Sequence, residues 1–153
     1  MKLEKTRSKL EHFKEIISKI KRTDPNYFVF LNYITEYIVV IFYAEIEDCV
    51  QKIVSNRLQQ AGLSVEGISF IEKNLRRNYN NDLLRIVEDF KGKHDKKSFE
   101  KLTHFQKFKN LIELRHCIAH ARQEARPQMT WQEIQDIAKV GENMMKNLIK
   151  SIS

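Results

Sequence analysis

Residues 28–44 read FVFLNYITEYIVVIFYA, and Glu36 is the single charged residue among them. The segment contains no proline or glycine, and it lies within a pattern that predicts one long helix from about Asn26 to about Gln60, ending near Gly62. A helix that is apolar on all its sides is usually buried in the protein interior. We therefore expect this long helix to be the most buried element of the fold.

The flanking sequence predicts five further helices. Apolar residues recur there at helical spacing, over residues 2–22, 64–78, 83–90, 98–119 and 130–152. Asp24 is suited to cap a helix start, and Pro25 suits the first position of that helix. Two further groups are suited to cap helix starts: Asn80-Asn81-Asp82 and the capping box Thr130-Trp-Gln-Glu133. Residues 91–97 and 122–129 are predicted to be loops. The predicted fold class is all-α, an up-and-down bundle of four main helices with one or two short helices inserted.

The composition suits a single domain, residues 1–153, that folds around one core. The chain has 153 residues, of which 42% are hydrophobic, and it has no linker long enough to divide it. With 4 glycines and 2 prolines, it has few of the turn residues that a fold of many short strands needs. The formal charge of +7 favours a polyanionic partner such as RNA, DNA or a membrane surface, although lysine-rich helical proteins without such a partner are also common.

The sequence predicts a cytoplasmic protein. Cys49 and Cys117 form neither a CxxC pair nor a disulfide pattern, which favours a reducing compartment. The segment MKLEKTRSKLEHFKEI at residues 1–16 is charged throughout and lacks the apolar stretch of a secretory signal. The longest uncharged apolar run, Tyr37–Ala44, is far too short to cross a bilayer, so no membrane association is expected.

The residues best suited to catalysis lie in the segment Glu113-Leu-Arg-His-Cys-Ile-Ala-His-Ala121. It places Arg115, His116 and His120 within six residues, at the end of a predicted core helix. His116 and His120 are four apart and share a helical face. Arg115 and His120 are separated by about 140° around a straight helix. Both reach one cleft if the helix ends just before His120, or if the long arginine side chain reaches around the helix.

These residue types suit the cleavage of RNA without a metal ion. The reaction needs a base that removes the proton of a 2′-hydroxyl, and histidine has an ordinary pKa of about 6.5. It also needs a cation that stabilises the charge developing on the phosphate oxygens. Arginine is always charged and can bind phosphate with two N–H groups.

The segment from Arg115 to His120 resembles the Arg-x(4–6)-His signature of HEPN ribonucleases, in which a polar residue follows the arginine, as His116 does here. The wider pattern, Glu-Leu-Arg-His-x-Ile-Ala-His, is similar to the RiboL-PSP-like branch of that family. One position departs from the family pattern. Glycine often follows the histidine in the family, whereas this chain has Ala121.

A second segment carries the same resemblance. FYAEIED, at residues 42–48, resembles the aromatic-rich long helix of that branch, in which a glutamate matches Glu47. The resemblance covers roughly residues 25–150 and implies an HEPN-like helical bundle. It implies a metal-independent endoribonuclease that leaves 2′,3′-cyclic phosphate and 5′-hydroxyl ends, acts as a homodimer and lines one cleft with both motifs. Family members serve in toxin–antitoxin and antiphage defence systems, often restrained by a neutralising antitoxin protein.

The resemblance also implies roles for individual residues. His120 is expected to act as the general base. Arg115 is expected to bind the phosphate and stabilise the transition state, and His116 to orient the reacting groups or serve as a second acid or base. Glu47 is included among the catalytic residues through its match to the long-helix pattern alone. The resemblance implies no metal ligand and no cofactor.

The RNA backbone is expected to contact a basic stretch that precedes the motif. Residues 91–109 hold seven lysines against two acidic residues, and basic side chains bind phosphates without reading sequence. The alternative is a solvated loop and helix face. The tyrosines of the long helix are expected in the core or an interface rather than as base-stacking platforms: Tyr33, Tyr37 and Tyr43. The predicted RNA-binding residues are Lys93, Lys96, Lys97, Lys101, Arg122 and Arg126.

Structural interpretations of the motif remain open. His120 alone suits a helix C-terminus, where a charged histidine interacts well with the helix dipole. Arg115 alone suits a salt bridge with Glu113 or Glu47. Glu113 and His116 have the spacing of ligands in di-iron bundles, but the sequence contains no second Glu-x-x-His. His116 and His120 have the spacing of two zinc ligands, but no third zinc ligand accompanies them. The alternative function is a non-catalytic helical module that dimerises and binds RNA or a partner protein.

Overall fold

The structure, a computed structural model, describes residues 2–69, 71, 82–120 and 129–153. Every regular element within these residues is a helix, so the predicted all-α fold class is confirmed. Residues 65–69 and 71 are helical and fall within the predicted helix over 64–78, and residues 70 and 72–78 of that prediction lie outside the described residues. The up-and-down order of an HEPN-like bundle stays a prediction. The helices are α1 (Glu4–Lys19), α2 (Tyr27–Gln60), α3 (Leu83–Lys91), α4 (Lys93–Glu100), α5 (Phe105–Ala119), α6 (Trp131–Gln135) and α7 (Ile137–Ile152).

The long helix α2 begins and ends close to the predicted positions. The Asp24 carboxylate accepts a hydrogen bond of 2.8 Å from the backbone N–H of Asn26, and α2 starts at the residue after it. Pro25 therefore lies in the turn before the helix, not at its first position as the sequence predicted. The helix ends at Gln60, and Gly62 follows with a φ of 87°, a left-handed conformation that favours glycine.

One face of α2 forms the centre of the core. This helix packs against α1, α5, α6 and α7. Its fully buried side chains include Ile38, Val39, Phe42 and Ile46. The opposite side of its first half is left uncovered in the described structure. The expectation that α2 is the most buried element is therefore wrong for that side, because the described neighbouring helices pack on one side of it only.

The uncovered side of α2 is apolar, and we call it the apolar face. From Val29 onward its residues recur every three or four positions, and all five are 45–70% exposed: Phe28, Val29, Tyr33, Tyr37 and Val40. By length and composition α2 could also span a membrane. A single such helix is weak evidence, because buried core helices of soluble proteins and signal sequences pass the same test; in this helix 28% of the apolar stretch is buried. The cytoplasmic location stays a prediction.

The helix α7 crosses α2 closely at Gly141. A Cβ atom at this position would lie 2.5 Å from Cε2 of Phe42 and 2.7 Å from Cδ1 of Leu3. Cβ atoms do not approach other carbons so closely, so glycine is needed here although it is unfavourable inside a helix. Because of this close approach, the side of α2 that faces α7 is buried in the core.

Carboxylates from two other helices hold the start of α1. Glu45 of α2 accepts a hydrogen bond of 2.9 Å from the backbone N–H of Thr6 and one of 2.7 Å from its hydroxyl. Glu142 of α7 accepts a bond of 3.0 Å from the N–H of Leu3, and Nε and Nη2 of Arg7 donate to its two oxygens at 2.7 and 2.6 Å. The N–H groups of a first helical turn have no partner within their own helix, and they favour a negative charge nearby. These bonds therefore fix the start of α1 on the core.

The predicted loop at residues 91–97 is wrong, because the chain is helical on both sides of Gly92. Gly92 has a φ of 90°, which lets α4 begin directly after α3. The side chains of Glu88 and Lys96 form an ion pair across this joint. Asp82 caps the start of α3 as predicted, since its carboxylate accepts a bond of 3.1 Å from the N–H of Arg85.

Two predicted helices are each divided in two. A turn at residues 101–104 separates α4 from α5 within the predicted helix over 98–119, and Asp136 separates α6 from α7. The predicted capping box at the start of α6 is confirmed. Thr130 Oγ1 accepts a bond of 3.3 Å from the N–H of Glu133, whose carboxylate accepts one of 2.8 Å from the N–H of Thr130. Most of the predicted loop before it, and two members of the predicted cap cluster, Asn80 and Asn81, lie outside the described residues.

Candidate active site

The helix that carries the motif ends one residue before His120. The backbone N–H of His120 donates to the carbonyl oxygen of His116 at 3.1 Å, and α5 ends at Ala119. The His120 side chain is exposed. This end point meets one of the two conditions under which Arg115 and His120 reach one cleft. It also places His120 at the C-terminus of the helix, the position that suits the structural alternative of an interaction with the helix dipole.

A buried tyrosine from α2 contacts two residues of the motif. Cζ of Arg115 lies 4.2 Å from the centroid of the Tyr43 ring, which is a cation–π distance. The His116 ring meets the same tyrosine edge to face, with centroids 5.9 Å apart and planes at 73°. Tyr43 is 2% exposed, whereas the two motif residues are half-buried. We call Tyr43, Arg115 and His116 the motif cluster.

Glu47 lies one helical turn after Tyr43 on α2 and is half-buried. Burial raises the pKa of the Tyr43 phenol above its ordinary value of 10.0, the negative charge of Glu47 raises it further, and Arg115 acts in the opposite direction. The charges of Glu47 and Arg115 thus both act on the same phenol, so the predicted glutamate lies near the motif cluster. Because its pKa is raised, the phenol stays protonated at neutral pH and is unsuited to act as a base.

Tyr43 is the site residue that the sequence analysis did not identify. It was expected in the core or an interface, and it is indeed buried. The signal that could have found it is its position four residues before Glu47, which puts both on one face of the helix. The other two tyrosines considered with it, Tyr33 and Tyr37, are exposed on the apolar face.

The structural alternatives for the motif can be compared with its contacts. Within the described residues, Arg115 stacks on Tyr43 and forms no ion pair within 4.0 Å with Glu113 or Glu47. Among those residues, no three His, Cys, Asp or Glu side chains come together in a way that could hold a metal ion. The observed partner of the guanidinium is therefore an aromatic ring rather than a carboxylate.

The predicted RNA-binding lysines lie at the other end of α5. Lys93, Lys97 and Lys101 are exposed, and Lys96 pairs with Glu88. They belong to α4 and its C-terminal end, which precede the start of α5, whereas Arg115 and His116 lie near the end of α5. Arg122 and Arg126 lie outside the described residues. Lys109, which is exposed, comes two helical turns before His116 on the same side of α5 and is therefore the described lysine of α5 best placed near the motif.

The comparisons with known proteins find no relative. No family model matches the chain. No curated protein and no solved structure matches it either. The HEPN resemblance therefore depends on the sequence patterns alone, and it stays a prediction.

Proposed function

We propose that this protein is a metal-independent endoribonuclease of the HEPN type. The observation that carries the proposal is the motif cluster, in which a buried aromatic ring holds a guanidinium beside a histidine, on a helix that ends just before a second, exposed histidine. Guanidinium and imidazole are the groups that metal-free phosphodiester cleavage needs. Stacking uses the face of the guanidinium, and its N–H groups point outward in the plane of the group. The edge of Arg115 therefore remains suited to binding a phosphate.

In the proposed reaction, His120 takes the proton of a ribose 2′-hydroxyl and the 2′-oxygen attacks the adjacent phosphorus. The P–O5′ bond breaks, which leaves a 2′,3′-cyclic phosphate. The leaving 5′-oxygen takes up a proton, for which His116 or protonated His120 is the donor. Arg115 neutralises the charge that develops on the non-bridging oxygens. Glu47, one helical turn after Tyr43 on α2, acts electrostatically on this cluster.

RNA is the proposed substrate because of the charge of the chain as well as the chemistry of the motif. The exposed lysines of α4, with Lys109 on α5, would hold the phosphate backbone on the side of the motif from which α5 begins. We further propose a cytoplasmic toxin or antiphage effector that a neutralising antitoxin protein restrains. This part of the proposal follows from the HEPN resemblance.

The proposal is tested by incubating the purified protein with a labelled RNA panel in excess EDTA. We expect cleavage, with products that end in 2′,3′-cyclic phosphate and 5′-hydroxyl groups. The matched control is the same RNA with 2′-O-methyl riboses, which cannot provide the nucleophile and should stay intact. Cleavage of the methylated RNA, or cleavage only when a divalent metal is added, would refute the mechanism.

A homodimer is proposed to form through the apolar face of α2. Three aromatic side chains, each of about 150–250 Å² when fully buried, contribute to this face, so its exposed apolar area is on the order of 400–600 Å². That is near the upper limit for a patch on a monomer and somewhat below the roughly 800 Å² that each partner buries in a typical interface. A polar rim around the apolar face would supply the remainder.

The lack of basic residues argues against RNA or an anionic membrane as the occupant of this face. Residues 23–51 contain no lysine or arginine, although the whole chain has 27. The same residues contain five acidic side chains, and Glu36 is the one within the apolar segment. RNA and acidic lipids both need basic partners, and residues 28–40, which carry the apolar face, contain none. A second apolar face, by contrast, complements the first under two-fold symmetry.

Val40→Asp is expected to disrupt the dimer. It places a charge at the C-terminal end of the apolar face, where it would be buried unpaired on association. Sedimentation over a concentration series should show a dimer of the 18.3 kDa wild-type chain and a monomer for the variant. Val65→Asp, at a valine that is 74% exposed outside α2, is the matched control and should remain dimeric. A wild-type chain that is monomeric at all concentrations would refute the homodimer.

The second candidate function is a non-catalytic module, which the large exposed apolar face favours. Binding surfaces are commonly apolar patches of this size. In that case the guanidinium of Arg115 serves to join α2 and α5 by stacking on Tyr43. Tight RNA binding without cleavage, in the assay above, would support the module over the enzyme.

A further inference from the structure

Tyr43 has contacts that an ordinary core tyrosine does not need. Its ring is buried between α2 and α5, and it touches both a guanidinium and an imidazole that the sequence motif singles out. Leucine or methionine could fill an apolar core position, but neither would offer a π face to a cation. The ring therefore offers something specific to Arg115.

The specific contribution is the orientation of the guanidinium plane. An arginine has several flexible torsions, so an unheld guanidinium samples many directions. Against an aromatic face it lies within a restricted range of positions, because the ring quadrupole attracts the cation. Its N–H groups then point along the protein surface, in the plane where a phosphate can meet two of them.

His116 gains a fixed orientation from the same ring. Its edge-to-face contact with Tyr43, at a centroid distance of 5.9 Å, defines the plane of the imidazole relative to α2. One tyrosine thus sets the direction of both groups. Arg115 and His116 are adjacent in the chain, and their side chains leave the helix about 100° apart. A common neighbour is therefore needed to fix the orientation of one side chain relative to the other.

We propose that Tyr43 is a positioning residue for RNA cleavage, which fixes the guanidinium of Arg115 and the ring of His116 in the geometry that the phosphate requires. The inference rests on the proposed function. Tyr43 acts through the two motif residues and has no proton-transfer role. Its aromatic ring, and not its hydroxyl, is the part that matters for Arg115.

The test compares Tyr43→Phe with Tyr43→Leu in the full chain. Phenylalanine keeps the aromatic face, so kcat should stay within about threefold of the wild-type value. Leucine removes it, so kcat should fall by about 10- to 100-fold, while KM changes little because the charge of Arg115 remains. Tyr27→Leu, at a half-buried tyrosine at the start of α2, is the matched control and should retain kcat. If the leucine variant does not fold, Tyr43→Met, which fills the space with a flexible apolar chain, replaces it.

Chemical rescue separates positioning from mere packing. Free guanidinium ion should partly restore cleavage to Arg115→Ala, because the Tyr43 ring still provides a binding face. The same ion should not restore the double variant Arg115→Ala with Tyr43→Leu. A purely structural role for Tyr43 would lower the stability of the protein but leave the rescue intact.

A readout that does not depend on activity is the NMR signal of the Arg115 side-chain N–H. Ring current from Tyr43 should shift it upfield in the wild type and in Tyr43→Phe, and the shift should vanish in Tyr43→Leu. A leucine variant that keeps kcat and rescue overturns the positioning role and leaves the proposed ribonuclease intact. A wild-type protein that cuts no RNA overturns the ribonuclease and this role with it, whatever the NMR shift shows.

Discussion

Replacing Arg115 with lysine is expected to lower kcat/KM for RNA cleavage by about 10²–10³-fold, although the charge is retained. Lysine carries a compact ammonium with no planar face to lie on the Tyr43 ring, and it cannot donate two parallel N–H bonds to a phosphate. Cζ of Arg115 lies over the Tyr43 ring, 4.2 Å from its centroid, and we expect the planar face of the guanidinium to make this contact. Single-turnover cleavage of the labelled RNA measures the loss.

Two controls define what the loss means. Arg22→Lys makes the same chemical change at an exposed arginine in the turn between α1 and α2, and it should leave cleavage unchanged. His120→Ala should reduce cleavage about 10²–10⁴-fold if His120 is the base, whereas His94→Ala, at an exposed histidine on α4, should have no effect. Full activity in Arg115→Lys would mean that Arg115 contributes only charge, and full activity in His120→Ala would assign the base elsewhere.

The helix ends were predictable from sequence because local chemistry determines them. Gly62 lies in the left-handed region that ends α2, and Asp82 and Thr130 accept the capping bonds expected of them. These interactions join residues only a few positions apart, so the sequence displays them directly. The end of α5 before His120 was left open, because the sequence has no glycine there to define it.

The exposed apolar face and the contacts of Tyr43, which sequence reasoning missed, depend on contacts between distant segments, whereas the helix α4 was missed through a more local contact. An apolar stretch such as residues 28–44 has the same composition whether its partners cover one side or all sides, and the exposed apolar face therefore carries no local signal. The helix α4 is stabilised across Gly92 by the Glu88–Lys96 ion pair, so a charged segment that reads as a loop becomes helical. Tyr43 acquires its contacts through the packing of α5 against α2.

The largest loss of stability is expected from Glu142→Ala. This carboxylate is 8% exposed as a residue, and it accepts bonds from the N–H of Leu3 and from two guanidinium nitrogens of Arg7. Hydrogen bonds to charged groups contribute about 1.5–3 kcal/mol. The side chain of Arg7 is 50% exposed and can be rehydrated in the variant, so the penalty of an unpaired buried charge is not incurred in full. We expect the free energy of unfolding to fall by about 2–3 kcal/mol.

Urea unfolding followed by circular dichroism measures this change. Glu15→Ala is the matched control, because it also removes one glutamate from a helix and breaks an ion pair, with Lys19 at 2.8 Å. Both partners of that pair are about 70% exposed, and such surface pairs contribute less than about 1 kcal/mol. Equal losses in the two variants would show that the bonds of Glu142 to the start of α1 do not stabilise the fold.

The stability of the wild type and that of Glu142→Ala should depend differently on pH. The guanidinium of Arg7 lowers the pKa of Glu142 below its ordinary value of 4.5; burial opposes this, and the N–H of Leu3 adds to the lowering. Because the pKa is lower in the folded state, the ionised carboxylate contributes its full stability above about pH 4.5, and the contribution is lost as the pH falls through the folded-state pKa. The difference in stability between wild type and Glu142→Ala should therefore be constant from pH 8 to about pH 5 and shrink below it. A difference that stays the same down to pH 3 would mean that packing of the side chain, rather than its charge, holds α1 on the core.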